Sequence, residues 1–104
     1  VNEAELQRAV IELARLFRWR VAHFRPALTV NGYRTPVEGD GKGFPDLVLV
    51  RAERVVFAEL KSDRGKLTDE QDDWLTALSR SVAEVYLWTP ANWFDGRIEA
   101  TLRD

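Results

Sequence analysis

Apolar positions along the chain recur with three different periods. From Glu3 to Arg18 they fall at Leu6, Val10, Leu13, Ala14 and Phe17, the helical spacing of an amphipathic helix over 3–18. Asn2 stands where an N-cap belongs, and Glu3 and Glu5 occupy the first turn, where carboxylates suit the helix dipole. Trp19 to Arg25 then alternates bulky and polar residues, which predicts a half-buried strand ended by Pro26. Two unbroken runs follow, Leu47-Val48-Leu49-Val50 and Val55-Val56-Phe57-Ala58. Their length, β-branching and lack of alternation predict strands covered on both faces. The helical period returns at Gln71, Trp74, Leu75 and Leu78, through about Arg80, behind a Thr68-x-x-Gln71 capping box, with Trp74 expected in the core. Val82 to Trp88 is another apolar strand, parallel to the second run if the helix is a crossover. Thr89-Pro90 opens a last helical or turn segment whose apolar face is Trp93, Phe94, Ile98 and Leu102.

Between these elements, residues 26–43 hold Pro26, Asn31-Gly32, Pro36 and the glycines at 39, 41 and 43. Turn signals this dense predict a long loop. GDGKG lacks the spacing and the following Ser/Thr of a phosphate-cradling P-loop, which excludes an NTPase and a nucleotide cofactor of that kind. A long loop running straight into Asp46 suits a mobile flap against nucleic acid, with Arg34 and Lys42 as phosphate contacts; plain disorder is the alternative. No internal repeat or low-complexity tract interrupts the chain. The order helix, strand, loop, hairpin, helix, strand, terminal helix predicts one α/β domain over 1–104, with a mixed sheet of about four strands flanked by helices.

Only Arg51 to Arg54 separate the two apolar runs, so they form an antiparallel hairpin. Folding it about Ala52-Glu53 sets Arg51 against Arg54 and, by the same count, Asp46 against Glu59. Residues opposite one another share a face, and Lys61 lies two beyond Glu59 on that face. Two carboxylates beside an apolar sheet repel each other and lose hydration unless a cation lies between them. Mg²⁺ is the natural occupant, since it takes oxygen ligands from one or two carboxylates, water and phosphate. Lys61 would orient or deprotonate an attacking water, or steady charge on the phosphate. Strand ends that simply surface into water are the plain alternative, and the Pro45-Asp46 step facing Glu59 argues against it.

Pro45-Asp46 with Glu59-Leu60-Lys61 resembles the signature of the PD-(D/E)XK nuclease superfamily. The fuller text, GFPDLVLV followed by FAELKSDRGKLTDEQDDWL, is similar to its VRR-NUC branch, particularly the small stand-alone, phage-type members, over Glu3 to about Pro90. The resemblance implies a restriction-endonuclease-like core and Mg²⁺- or Mn²⁺-dependent phosphodiester cleavage. It also implies Asp46 and Glu59 as ligands, the Leu60 backbone carbonyl as a further one, and Lys61 as the catalytic lysine. An acidic residue of the first helix is implied to face the site, Glu3 fitting best and Glu5 being the fallback. Gln71, on the helix after Glu59-x-Lys61, is implied to lie beside the site, a role that coexists only partly with capping. Stand-alone relatives resemble Holliday-junction resolvases of recombination and repair. The expectation is therefore a homodimer cutting branched DNA to 5′-phosphate and 3′-hydroxyl ends in a bacterial or phage-infected cell. A nicking, flap or restriction-type nuclease, or a catalytically idle DNA-binding or dimerisation module, is the alternative.

Composition narrows the chemistry. The 104 residues include no cysteine and one histidine, so thiolate zinc sites and histidine clusters within one chain are excluded and any metal is held mainly by oxygen. No apolar run approaches membrane-spanning length and no signal-peptide pattern is present, which makes a cytoplasmic location the default. A net charge of −2 does not announce a nucleic-acid binder. Charge distribution is more informative: residues 1–52 carry eight Lys/Arg against six Asp/Glu, and 53–104 seven against eleven. Arg25, Arg34, Lys42, Arg64 and Lys66 are candidates for a phosphate track. His23 is a minor candidate, since a lone strand histidine is more often a surface or packing residue. Four tryptophans in so short a chain point to a core or to a self-association surface.

Overall fold

The computed structural model describes residues 1–24, 27–30, 32–34 and 37–104, with the side chains of 27–29, 33 and 34 outside that description. In chain order the elements are α1 (Glu3–Leu16), β1 (Arg20–His23), β2 (Ala27–Thr29), β3 (Gly32–Arg34), β4 (Leu47–Arg51), β5 (Arg54–Leu60), α2 (Asp69–Ser79), β6 (Glu84–Trp88), α3 (Pro90–Phe94) and α4 (Arg97–Arg103). Four strands form a mixed sheet in the order β1-β4-β5-β6. β4 pairs antiparallel with β1 and β5, and β6 lies parallel to β5 after the α2 crossover. The hairpin register has Arg51 opposite Arg54 and Leu47 opposite Ala58, the count expected from the short connection. Ala52 turns it at φ 53°.

Alternation along the strands separates the sheet's two faces. Leu47, Leu49, Val56, Ala58, Leu60 and Trp88 point to one face and are buried with Leu6, Val10 and Ala14 of α1 and Ile98 and Leu102 of α4. The hydrophobic stripe of α1 is thus its packing surface, and α1 enters it through a closed capping box between Asn2 and Glu5. Coverage of the other face is partial: Val50 and Val55 stay more than a third exposed. The expectation of strands covered on both faces holds for only one of them, because α2 lies mainly over β6.

Three other expectations change. The stretch 26–43 is not loop throughout, because β2 and β3 pair antiparallel with Thr29 opposite Gly32. Strands of three residues each were hidden by the density of turn-forming residues. The terminal segment is two helices, since Gly96 at φ 85° breaks it between α3 and α4. Trp74 is half-buried rather than core, its indole N–H donating to the Asp40 carbonyl at 2.8 Å. Among the described residues no helix is long and apolar enough to cross a membrane.

Candidate active site

Beyond Leu47↔Ala58 the hairpin opens, and its carboxylates gather there. Leu60 N–H donates to Asp46 Oδ2 at 2.9 Å, which fixes the Asp46 carboxylate against the end of β5. The Glu59 carboxyl lies close enough to that of Asp46 for its own ionisation to be perturbed. Glu59 is 1% exposed, and its Oε2 is buried with no hydrogen-bond partner among the described residues. Burial, with the contact and the charge of Asp46 added, pushes the Glu59 carboxyl up to about 9 against an ordinary 4.5, while Lys61 opposes the shift. Glu3, at the start of α1, is raised by burial and then by Asp46, and Lys61 again opposes. Glu3, Asp46, Glu59 and Lys61 therefore share one electrostatic neighbourhood.

Lys61 is placed by its own strand. Its N–H donates to the Trp88 carbonyl at 3.0 Å, extending the β5–β6 ladder by one bond. Its aliphatic stem crosses the following turn, where a Cβ on Gly65 would come within 3.3 Å of Lys61 Cδ. The same turn is tied to α3, because Asp63 Oδ1 accepts the Ala91 N–H at 3.1 Å.

The segment entering Asp46, expected as a mobile flap, lies docked on α2. Gly43 has φ 84°, and a Cβ there would meet the Glu70 carbonyl carbon at 2.5 Å, so only glycine fits the approach. Phe44 packs edge-to-face on Phe24, Phe57 and Trp74, with ring centroids 5.3, 5.9 and 5.0 Å apart. Lys42 pairs with Glu70 at 3.5 Å. A cleft of about 560 Å³ between this segment and α2 is lined by Gly39, Asp40, Lys42, Glu70, Asp73, Trp74 and Ala77 and includes none of the clustered carboxylates. Reasoning from sequence missed this clamp; the signal for it was the Gly43-Phe44-Pro45 run.

Other candidates fall in different places. Glu5 closes the α1 capping box, its Oε1 accepting the Asn2 N–H, so of the two first-turn acids it is Glu3 that reaches the cluster. Gln71 Oε1 likewise accepts the Thr68 N–H at 2.9 Å, which commits that oxygen to the α2 cap. His23 pairs with Leu47, on the face opposite Asp46 and Glu59, and its Nε2 is buried without a partner among the described residues. Arg64 and Lys66 are exposed on the turn after Lys61. Arg25 lies outside the described residues, as does the Arg34 side chain.

Among the described residues no three His, Cys, Asp or Glu side chains form a metal cluster. The oxygen donors at the open end are instead the two carboxylates and the Leu60 carbonyl, which points toward β4 past the last ladder pair. A partnerless buried carboxylate oxygen beside a second carboxylate is what a hard cation would complete, so these residues fit Mg²⁺ or Mn²⁺ and not a thiolate or imidazole metal.

A four-stranded mixed sheet flanked by helices, with Pro-Asp entering one central strand and Glu-Leu-Lys leaving the next, defines a nuclease domain of the PD-(D/E)XK type with a restriction-endonuclease-like fold. The VRR-NUC domain model matches residues 27–89, more than half of the chain and all of the site except Glu3. The chain belongs to the VRR-NUC family and is a nuclease acting on DNA. Comparison with curated proteins and with solved structures gave no match.

Proposed function

We propose that this nuclease is a divalent-metal-dependent endonuclease whose cation, Mg²⁺ or in its place Mn²⁺, is held by Asp46, Glu59 and the Leu60 carbonyl. The observation that carries the reading is the buried Glu59 Oε2 without a partner, next to a second carboxylate. When bound, such a cation supplies charge neutralisation for the phosphodiester and lowers the pKa of a water. The chain's own groups do the rest. Asp46, anchored through Oδ2 to the Leu60 N–H, presents its carboxylate in a fixed orientation. Lys61, held at the strand end by its N–H bond to Trp88, orients or deprotonates the attacking water and offsets the charge of Glu3 and Glu59. Glu3 adds a third carboxylate to that field. Gln71 contributes through its amide nitrogen, since its oxygen is used in the cap. In-line attack leaves 5′-phosphate and 3′-hydroxyl ends.

The substrate is branched duplex DNA of the Holliday-junction kind, cut by a homodimer, because one small domain carries one site and a junction needs two symmetric incisions. Arg64 and Lys66, exposed beside Lys61, contact phosphates, with Arg25, Arg34 and Lys42 extending the track. Incubating the protein with four-way junction, flap, nicked and linear duplex in Mg²⁺ or EDTA tests this. The expected result is paired symmetric nicks in the junction only, abolished by EDTA. Equal cutting of linear duplex would remove the junction preference, and cutting in EDTA would remove the metal. No cutting of any substrate would favour an idle module.

A further inference from the structure

The β4–β5 ladder stops one pair short of where its register would carry it. Antiparallel pairs alternate between hydrogen-bonded and non-bonded. Leu60 N–H reaches Asp46 Oδ2 on the β4 side, and Lys61 N–H turns the other way to Trp88. Even-numbered residues of β5 therefore direct their backbone groups at β4, so Leu49↔Val56 and Leu47↔Ala58 are the hydrogen-bonded kind. The next such pair is Pro45 with Leu60. Proline has no N–H, so the one group in register to pair with the Leu60 carbonyl is missing. The other half of the pair is also diverted, because Leu60 N–H is taken by the Asp46 side chain. Pro45 and Asp46 together thus strip the Leu60 backbone of hydrogen-bond partners on β4, though its register with Trp88 of β6 persists, while leaving it fully buried.

We infer that Pro45 is a positioning residue of the cation site: by withholding a backbone donor it keeps the Leu60 carbonyl free as the third oxygen beside Asp46 and Glu59. This rests on the divalent-cation reading above. The proline ring has a second, separable role, since it is itself fully buried and its loss would open space in the core. A donor restored at position 45 would close the ladder onto Leu60, and the cation would then compete with a hydrogen bond.

At 12.0 kDa the protein suits solution NMR. In the wild type, Mg²⁺ titration is expected to move the Leu60 carbonyl carbon together with the Asp46 and Glu59 carboxyl carbons. In Pro45→Ala, a scalar coupling across a new hydrogen bond should link the residue-45 amide nitrogen to the Leu60 carbonyl carbon. Calorimetric Mn²⁺ affinity of that variant should fall by roughly three- to tenfold, the factor set by one net hydrogen bond. Lost packing alone lowers stability but produces no such coupling. The inference is overturned if the carboxyl carbons move while the Leu60 carbonyl stays still. It is equally overturned if folded Pro45→Ala shows no coupling or binds Mn²⁺ as tightly as the wild type. If neither carboxyl carbon moves, the cation site itself fails and this inference with it. Should Pro45→Ala not fold, the wild-type titration decides alone.

Discussion

Each end of the β4–β5 hairpin sets two like charges face to face, and the two ends treat them in opposite ways. At the turn, Arg51 opposes Arg54, an arrangement that destabilises a strand pair unless the charges find other partners. They do. Arg51 donates to the Phe17 and Leu102 carbonyls at 3.2 and 2.8 Å. Arg54 forks onto Glu84 at 2.6 and 2.7 Å and reaches the Thr101 carbonyl. Both guanidinium groups lie over the Trp19 ring, 4.6 and 4.8 Å from its centroid. At the open end, Asp46 accepts one backbone N–H and Glu59 Oε2 accepts nothing. The satisfied pair ties helices α1 and α4 to the sheet. Lys61 offsets the desolvation of the carboxylate pair only in part, and such a remaining cost is tolerated where a ligand completes the set.

Substitutions at the two ends should separate these roles. Asp46→Asn and Glu59→Gln should each cut the cleavage rate by about 10³-fold, equivalent to the several kcal/mol a metal supplies, while metal-free thermal stability is kept or raised. Lys61→Ala should lose about 10²-fold, the lower bound for a positioned acid–base group, with Mn²⁺ affinity preserved in calorimetry. At the turn, Arg54→Ala should cost about 2 kcal/mol in urea unfolding, since it removes the two charge-assisted bonds to Glu84, and should leave cleavage per folded molecule unchanged. A variant at one end that behaves like the other end would erase the distinction.

Acidity offers a gentler probe. In the metal-free protein the folded Glu59 pKa of about 9 lies above the ordinary 4.5, so the unfolded chain gives up that proton first. Stability from this group is whole below pH 4.5 and falls as pH rises toward 9, by at most about 1.4 kcal/mol per unit. Urea unfolding in EDTA should show that fall, and Glu59→Gln should flatten it. The smallest effect belongs to the turn: Ala52, at φ 53°, occupies a conformation that suits glycine, so Ala52→Gly should stabilise by about 0.5 kcal/mol.

Much of this was legible in the residues themselves. Continuous apolar runs with a four-residue connection leave one register, and that register places Asp46 beside Glu59. Asn2 announces its N-cap and Thr68 with Gln71 their capping box, because local hydrogen bonds need only local sequence. What stayed hidden depends on distant partners. β2 and β3 are too short for a period to show through turn-forming residues. Docking of Gly43 on Glu70 and of Trp74 on Asp40 joins segments far apart in the chain. Glu3 could be told from Glu5 only once α1 was placed against the sheet, with one acid in the cap and the other at the cluster. The Arg51–Arg54 pairing followed from the hairpin count, but its partners Trp19, Leu102 and Glu84 lie far off in the chain.

The most direct test is calorimetric titration of the metal-free protein with Mn²⁺ near neutral pH, in buffers of different ionisation enthalpy. Saturable binding is expected, with a buffer-dependent heat showing that Glu59 releases its proton as the cation enters, and both signals should vanish in Glu59→Gln. Wild-type protein that takes up no cation, or Glu59→Gln binding Mn²⁺ with unchanged affinity and heat, would contradict the claim that the unsatisfied pair is a cation seat.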